Sequence, residues 1–237
     1  MAIETRRSSQ QWTHRHFDAA IIDLDGTLID TLGDFVAVLQ LMLRDLPEPF
    51  SCYTVQSQVV SHLVGKGSEN LISCVLNLAN GGGTDNAAAA VFPLAWERYQ
   101  LHYQAINGQY AKVFDGVING LEQFKAWGWK LACVTNKPTA FAMDLLQAKG
   151  LSGFFDITYG GDAFERKKPD PLPLIKACEN LGVTAARALM VGDSSNDAQA
   201  ARAAGCPVLL VTYGYNHGLP IEAVDADAFT DSLESVF

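Results

Sequence analysis

The first stretch able to do chemistry is Ala19-Ala-Ile-Ile-Asp-Leu-Asp-Gly-Thr-Leu28. Its small and apolar start reads as a buried strand that ends on a carboxylate, Asp23, with Gly26-Thr27 turning the chain directly afterwards. Side chains alternate along extended backbone, so Asp23 and Asp25 fall on the same side. Two carboxylates held that close repel one another, and a hard divalent cation with oxygen ligands is the natural partner. Two later apolar runs also end in polar groups. Leu131-Ala-Cys-Val-Thr135-Asn136-Lys137 finishes on a hydroxyl and an amide, and Ala188-Leu-Met-Val-Gly192-Asp193-Ser-Ser-Asn-Asp197 on two more carboxylates. Between them, Arg166-Lys-Lys-Pro-Asp-Pro171 offers Lys168. Taken singly, Thr135 and Asn136 would serve as helix caps, Asp193 and Asp197 as a cap and a first-turn acid, and Lys168 as a member of a solvated basic loop. Taken in order, they place polar chemistry at one edge of a sheet, the expected active site.

The elements that must hold these ends are legible in the hydrophobic pattern. Asp30-Thr31 is suited to cap a helix carrying Leu32, Phe35, Val36, Leu39, Met42 and Leu43, which stops near Pro47-Glu48-Pro49. From Ser51 to about Ile106 the pattern stays helical, in segments Val55–Val64, Glu69–Leu78 and Ala87–Tyr103, punctuated by Gly65-Lys66-Gly67 and Asn80–Gly83. Strand and helix then alternate. Strands are expected at 130–135, 154–159, 188–192 and 208–211, with helices at 117–126, 139–149, 172–181 and 196–204, and a short strand or turn plus a helix in the tail from Asp225. Such alternation implies a parallel sheet with right-handed crossovers, whose ligands bind beyond the carboxyl ends of the strands. The expected fold is therefore α/β, a Rossmann-like parallel sheet core with an inserted all-helical domain. Residues 17–30 and 107–237 form the core, 31–106 the insertion, and 1–16 a polar, poorly ordered lead-in.

On these motifs the chain resembles the haloacid dehalogenase superfamily, whose usual members are magnesium-dependent phosphatases. Asp23-Leu-Asp-Gly-Thr-Leu28 is similar to the first motif of that superfamily, Thr135 to the second, Lys168 in Lys-Pro-Asp-Pro to the third and Gly192–Asp197 to the fourth. The resemblance implies Asp23 as nucleophile, Asp25 as general acid and base, and Lys168 as the cation that readies Asp23. It further implies Thr135 and Asn136 as phosphate ligands, and Mg²⁺ held by Asp23, Asp25 through its main-chain carbonyl, and Asp193. Asp197 would sit behind these groups, orienting Lys168 or water, and the helical insertion would be a type 1 cap. Lys167 lacks the following proline and is the weaker candidate for the third motif.

Val134-Thr-Asn-Lys-Pro138 and Val211-Thr-Tyr-Gly-Tyr-Asn-His217-Gly-Leu-Pro-Ile221, with Ala226-Asp227 and Asp231-Ser-Leu233, resemble phosphoglycolate phosphatases. On that likeness the substrate is 2-phosphoglycolate, hydrolysed to glycolate and phosphate. Val113-Phe-Asp-Gly116 departs from it, since a proline often precedes the glycine there. The alternatives are a phosphatase of a sugar phosphate, a nucleotide or pyrophosphate, and a phosphohexomutase. A dehalogenase is disfavoured because Asp25 is kept, and a catalytically silent binding module because Asp23, Asp25, Lys168 and Asp193 all are. In the insertion, Lys66 is placed to meet a carboxylate or second anionic group, although a solvated turn fits it equally. His217 reads as a structural loop residue, and His62 and His102 as positions on the inserted helices.

Composition narrows the partners. A net charge of −9 argues against nucleic acid and anionic membrane as partners; the resemblance implies a small phosphorylated metabolite instead, with the chain expected as a monomer or homodimer. Five cysteines without a Cys-x-x-Cys pair suggest neither a disulfide framework nor a zinc site. With no apolar run of export length after Arg6-Arg7, a cytoplasmic setting is expected.

Overall fold

The computed structural model describes residues 12–82 and 86–237. Its core is a six-stranded, wholly parallel sheet built from β1 (Ala19–Ile22), β4 (Lys130–Val134), β5 (Ile157–Tyr159), β6 (Ala188–Gly192), β7 (Val208–Val211) and β8 (Ala228–Thr230), in the order β5-β4-β1-β6-β7-β8. Strands buried on both faces need apolar side chains on both, which is why β1, β6 and β7 read as unbroken Ala, Ile, Leu, Met and Val runs. One face packs Ile22, Leu131 and Leu189 against α5 (Val117–Ala126) and α6 (Thr139–Ala148). The other packs Ile21, Ala132 and Met190 against α7 (Leu172–Leu181) and α8 (Ser195–Ala204).

Between β1 and β4 the chain leaves the sheet to form α1 (Leu32–Arg44), α2 (Ser57–Leu63), α3 (Ser68–Ala79) and α4 (Ala87–Ile106). These helices close over a hydrophobic core of their own, which includes Leu39, Met42, Leu43, Ile72, Tyr99 and Tyr103. The exit and return segments pair as a two-stranded antiparallel ribbon, β2 (Ile29–Asp30) with β3 (Lys112–Val113). Strands this short leave no pattern in a sequence. Among the described residues no helix is long and apolar enough to cross a membrane.

Several expectations need correction. Thr31 makes no side-chain cap for α1; the Leu32 N–H goes to Asp30 Oδ1 at 3.2 Å, and the Tyr215 hydroxyl accepts the Thr31 and Leu32 N–H groups at 2.9 and 3.2 Å. The lead-in is ordered from Trp12, which meets the Phe17 ring edge-on at 5.3 Å, while His14 stacks on Trp127 at 5.0 Å. Residues 1–11 of that lead-in lie outside the described residues, as do Gly83 and Asp85. The tail ends in a 3-10 turn, Leu233–Ser235, rather than an α-helix.

Asp34, in the first turn of α1, is buried, and among the described residues no lysine or arginine pairs with it. Its carboxylate instead takes the N–H groups of Gly108, Tyr110 and Ala111 at 2.6, 2.7 and 3.1 Å, pinning the return segment to the helix that begins the excursion. Removing an acceptor of this kind strands buried donors, so Asp34→Ala should cost about 3 kcal/mol. Urea unfolding monitored by circular dichroism checks this, with a cost under about 1 kcal/mol contradicting it.

Candidate active site

Register brings the three polar strand ends together. Ile22 lies opposite Cys133 on β4 and Val191 on β6, so Asp23, Thr135 and Asp193 emerge side by side at the carboxyl edge. Asp23 stays seated in the sheet through its own N–H, which donates to Val191 O at 2.9 Å. Lys168 arrives from the loop before α7. Its ammonium lies 2.7 Å from Asp23 Oδ1, 2.7 Å from Asp197 Oδ1 and 2.7 Å from the Val134 carbonyl. The other oxygen of Asp197 accepts the Ser194 N–H and hydroxyl at 3.1 and 2.7 Å, the reciprocal cap of α8. Asp197 thus caps a helix with one oxygen and contacts Lys168 with the other. Lys167 lies against Gly67, with its ammonium 3.9 Å from Glu69.

Three buried carboxylates, Asp23, Asp193 and Asp197, bring oxygens within 4.8 Å of one another. Their mutual repulsion and their burial shape the site's proton affinities. Burial pushes the Asp23 carboxyl up to about 7, although Lys168 pulls the other way. Burial, then the charges of Asp197 and Asp23, holds Asp193 well above the carboxylate range despite the Tyr215 N–H at 2.7 Å. Burial works against the Lys168 ammonium, yet Asp197 and Asp23 outweigh it and keep the lysine charged. An all-oxygen donor set without imidazole or thiolate fits a hard divalent ion and suits zinc or copper poorly. Two glycines make the approach possible. A Cβ on Gly26 (φ +87°) would lie 2.2 Å from Asp193 Oδ2, and one on Gly214 would lie 2.2 Å from Asp193 Cβ.

Asp25 and Asp23 line one cleft with Thr135, Asn136 and Lys137 from the sheet side, and Phe35, Val64, Gly65, Gly67, Ser68 and Leu71 from the helical block. The free space among these residues is small, about 20 Å³.

The chain is similar to known proteins. Residues 20–211 match the family model of haloacid dehalogenase-like hydrolases. The chain belongs to that family. It is 43% identical over 215 residues to a phosphoglycolate phosphatase of Thiobacillus denitrificans, covering 91% of this chain and 92% of that one. A plasmid-borne phosphoglycolate phosphatase of Cupriavidus necator is 43% identical over 218 residues, covering 92% and 90%. Among solved structures, that of a predicted phosphoglycolate phosphatase from Haemophilus somnus 129PT superposes with a TM-score of 0.86 at 30% identity, covering 92% of this chain and 96% of that one. The chain is accordingly a phosphatase of the haloacid dehalogenase-like hydrolases, acting on phosphoric monoesters.

Three features of this hydrolase escape a reading of its sequence. The Asn136 side-chain amide donates to Gly65 O at 2.9 Å and Lys168 O at 2.8 Å, leaving the main chain for any ligand. Asn196 donates to the same Gly65 carbonyl at 3.1 Å, so two amides from the sheet edge grip one loop of the helical block. Lys137 is the second. It is buried, with its ammonium 3.0 Å from Asp25 Oδ1. The third is the β7 loop: Tyr213 donates to Thr27 O at 2.8 Å and Tyr215 to Asp30 Oδ1 at 2.7 Å, holding the turn that follows Asp23. Lys66 stands exposed outside the cleft lining, whereas its glycine neighbours line it. The His217 ring abuts Gly65 across the same junction, where burial and then Lys66 keep its pKa low.

A carboxyl whose folded-state pKa lies above its unfolded value stabilises the fold only while protonated. With Asp23 near 7, the cation-free protein should lose stability as pH climbs from about 4 to about 7. Melting temperatures taken across that window with a chelator present test this, and a level or rising trend would contradict it.

Proposed function

We propose that the protein is a Mg²⁺-dependent phosphatase hydrolysing 2-phosphoglycolate to glycolate and phosphate through an aspartyl-phosphate on Asp23. One observation carries this reading: a buried nucleophile candidate, Asp23, set 2.7 Å from Lys168 and sharing a small cleft with a second acid, Asp25. The substrate follows from likeness to phosphoglycolate phosphatases over nine-tenths of both chains. The helical block then acts as the cap, its Gly65–Ser68 loop forming the roof of the cleft.

The residues that would hold the ion are Asp23, Asp193 and the main-chain carbonyl of Asp25, and the ion would supply charge neutralisation for the phosphate dianion. Thr135 and main-chain N–H groups near Leu24 and Asn136 orient the remaining phosphate oxygens. Lys168, itself fixed by Asp197, holds the Asp23 carboxylate in line. An Asp23 oxygen bonds to phosphorus as the bond to the leaving alkoxide breaks, and Asp25 gives that alkoxide its proton. Asp25 then takes a proton from water, whose oxygen displaces Asp23 from phosphorus and releases phosphate. The Asn136 and Asn196 grip on Gly65 keeps bulk water out meanwhile.

Phosphate release from a few dozen phosphorylated metabolites in Mg²⁺ should be greatest, by kcat/KM, for 2-phosphoglycolate. A strong preference for a bulky sugar phosphate or nucleotide would overturn the substrate while sparing the chemistry. Asp23→Asn should lower kcat by more than about 10³-fold, and Asp25→Asn by about 10² to 10⁴. Near-normal turnover by Asp23→Asn, shown by mass spectrometry to be free of deamidation, would end the mechanism.

A further inference from the structure

Lys137 has no task in the steps above. Its ammonium donates to Asp25 Oδ1 at 3.0 Å and to the Tyr103 hydroxyl at 2.5 Å. It also lies 4.7 Å from the centre of the Phe35 ring and 4.9 Å from that of Tyr103. Burying an ammonium is costly, and a neutral amide would orient Asp25 with less desolvation. A charge at this spot is useful if something anionic arrives beside it.

The position says what that would be. Asp25 protonates the leaving alkoxide, so the space next to Asp25 and away from the Asp23–Lys168 pair is where the leaving group lies. Among the residues lining the cleft Lys137 is the one lysine, and there is no arginine. The facing wall is Phe35, Val64 and Leu71, which offers nothing polar to a sugar hydroxyl. Two of the three N–H donors of Lys137 are on Asp25 and Tyr103, and one remains. Gly67 and Ser68, where α3 begins, line the same space, so the positive end of that helix faces it too.

We propose that Lys137 is the specificity-determining residue of the cleft, taking the carboxylate of a short anionic leaving group, and this rests on the phosphatase reading above. A hydroxy-acid phosphate would place its phosphate at Asp23 and its carboxylate at Lys137, with Asp25 between them. Neutral alcohols of the same length would find the ammonium without a counterpart of their own. The lysine expected to do this from the sequence, Lys66, lies outside the lining, so the charge comes from the sheet and not from the cap.

Non-hydrolysable probes separate binding from catalysis. Calorimetric titration in Mg²⁺ would compare 3-phosphonopropionate, which carries the carboxylate, with propylphosphonate, which does not. Wild type should bind the carboxylated compound about 10- to 100-fold more tightly. Lys137→Gln retains a donor for Asp25 without the charge, and should bring the two affinities within about threefold of each other. Lys137→Met gives the same comparison should the glutamine variant fail to bind propylphosphonate at all. If the variants weaken both compounds equally and keep the wild-type ratio, the inference is wrong and the substrate reading survives. If wild type itself shows no preference for the carboxylate, the substrate reading fails first and takes the inference with it.

Discussion

Repulsion among buried like charges is the constraint around which this molecule is arranged. Asp23, Asp193 and Asp197 bring carboxylate oxygens within 4.8 Å of each other, where each pair of full charges costs on the order of 3 kcal/mol at an effective dielectric near 20. Lys168 balances part of this, touching Asp23 and Asp197 but not Asp193. Burial first, and then the remaining imbalance, raises the proton affinity of Asp23 and Asp193 when nothing else is bound. A folded protein tolerates such a cluster only where rigid surroundings forbid the carboxylates from swinging apart.

Those surroundings are recruited from distant parts of the chain. The sheet fixes Asp23 by its own backbone, the start of α8 fixes Asp197, and the Tyr215 N–H fixes Asp193. The β7 loop does double duty, since the Tyr213 and Tyr215 hydroxyls also hold the segment from Thr27 to Leu32. Side-chain volume is removed where the backbone must pass a carboxylate, at Gly26 and Gly214. Asp25 obeys a different rule. Its ion pair with Lys137 lies under two aromatic rings, so its neighbour belongs to the cleft rather than to the charged cluster.

Much of this was readable from residue types alone, because a parallel strand buried on both faces announces its end by the first polar residue after an apolar run. Asp23, Thr135, Asp193 and Asp197 stand out that way, and Lys168 by its place in the Lys-Pro-Asp-Pro run. Lys137 does not stand out. It looks like any polar residue before a proline, and the rings that bury it come from Phe35 and Tyr103, far away in sequence. Asp34 did leave a trace: it stands one helical turn before buried Val38, an acid on the apolar stripe of α1. The four-residue ribbon of β2 and β3 left none, since two residues per strand cannot establish a period.

That ribbon, together with Asp34, decides how the helical block can move. Were the outgoing and incoming segments independent tethers, the block could twist, slide or tilt over the sheet. Paired to each other at Ile29–Val113 and Asp30–Lys112, and tied again through one carboxylate, they form a single strap. A strap bends about one line more readily than it twists, so the two segments resist torsion of the helical block over the sheet. That resistance keeps the Gly65 carbonyl in line with the two asparagines that hold it.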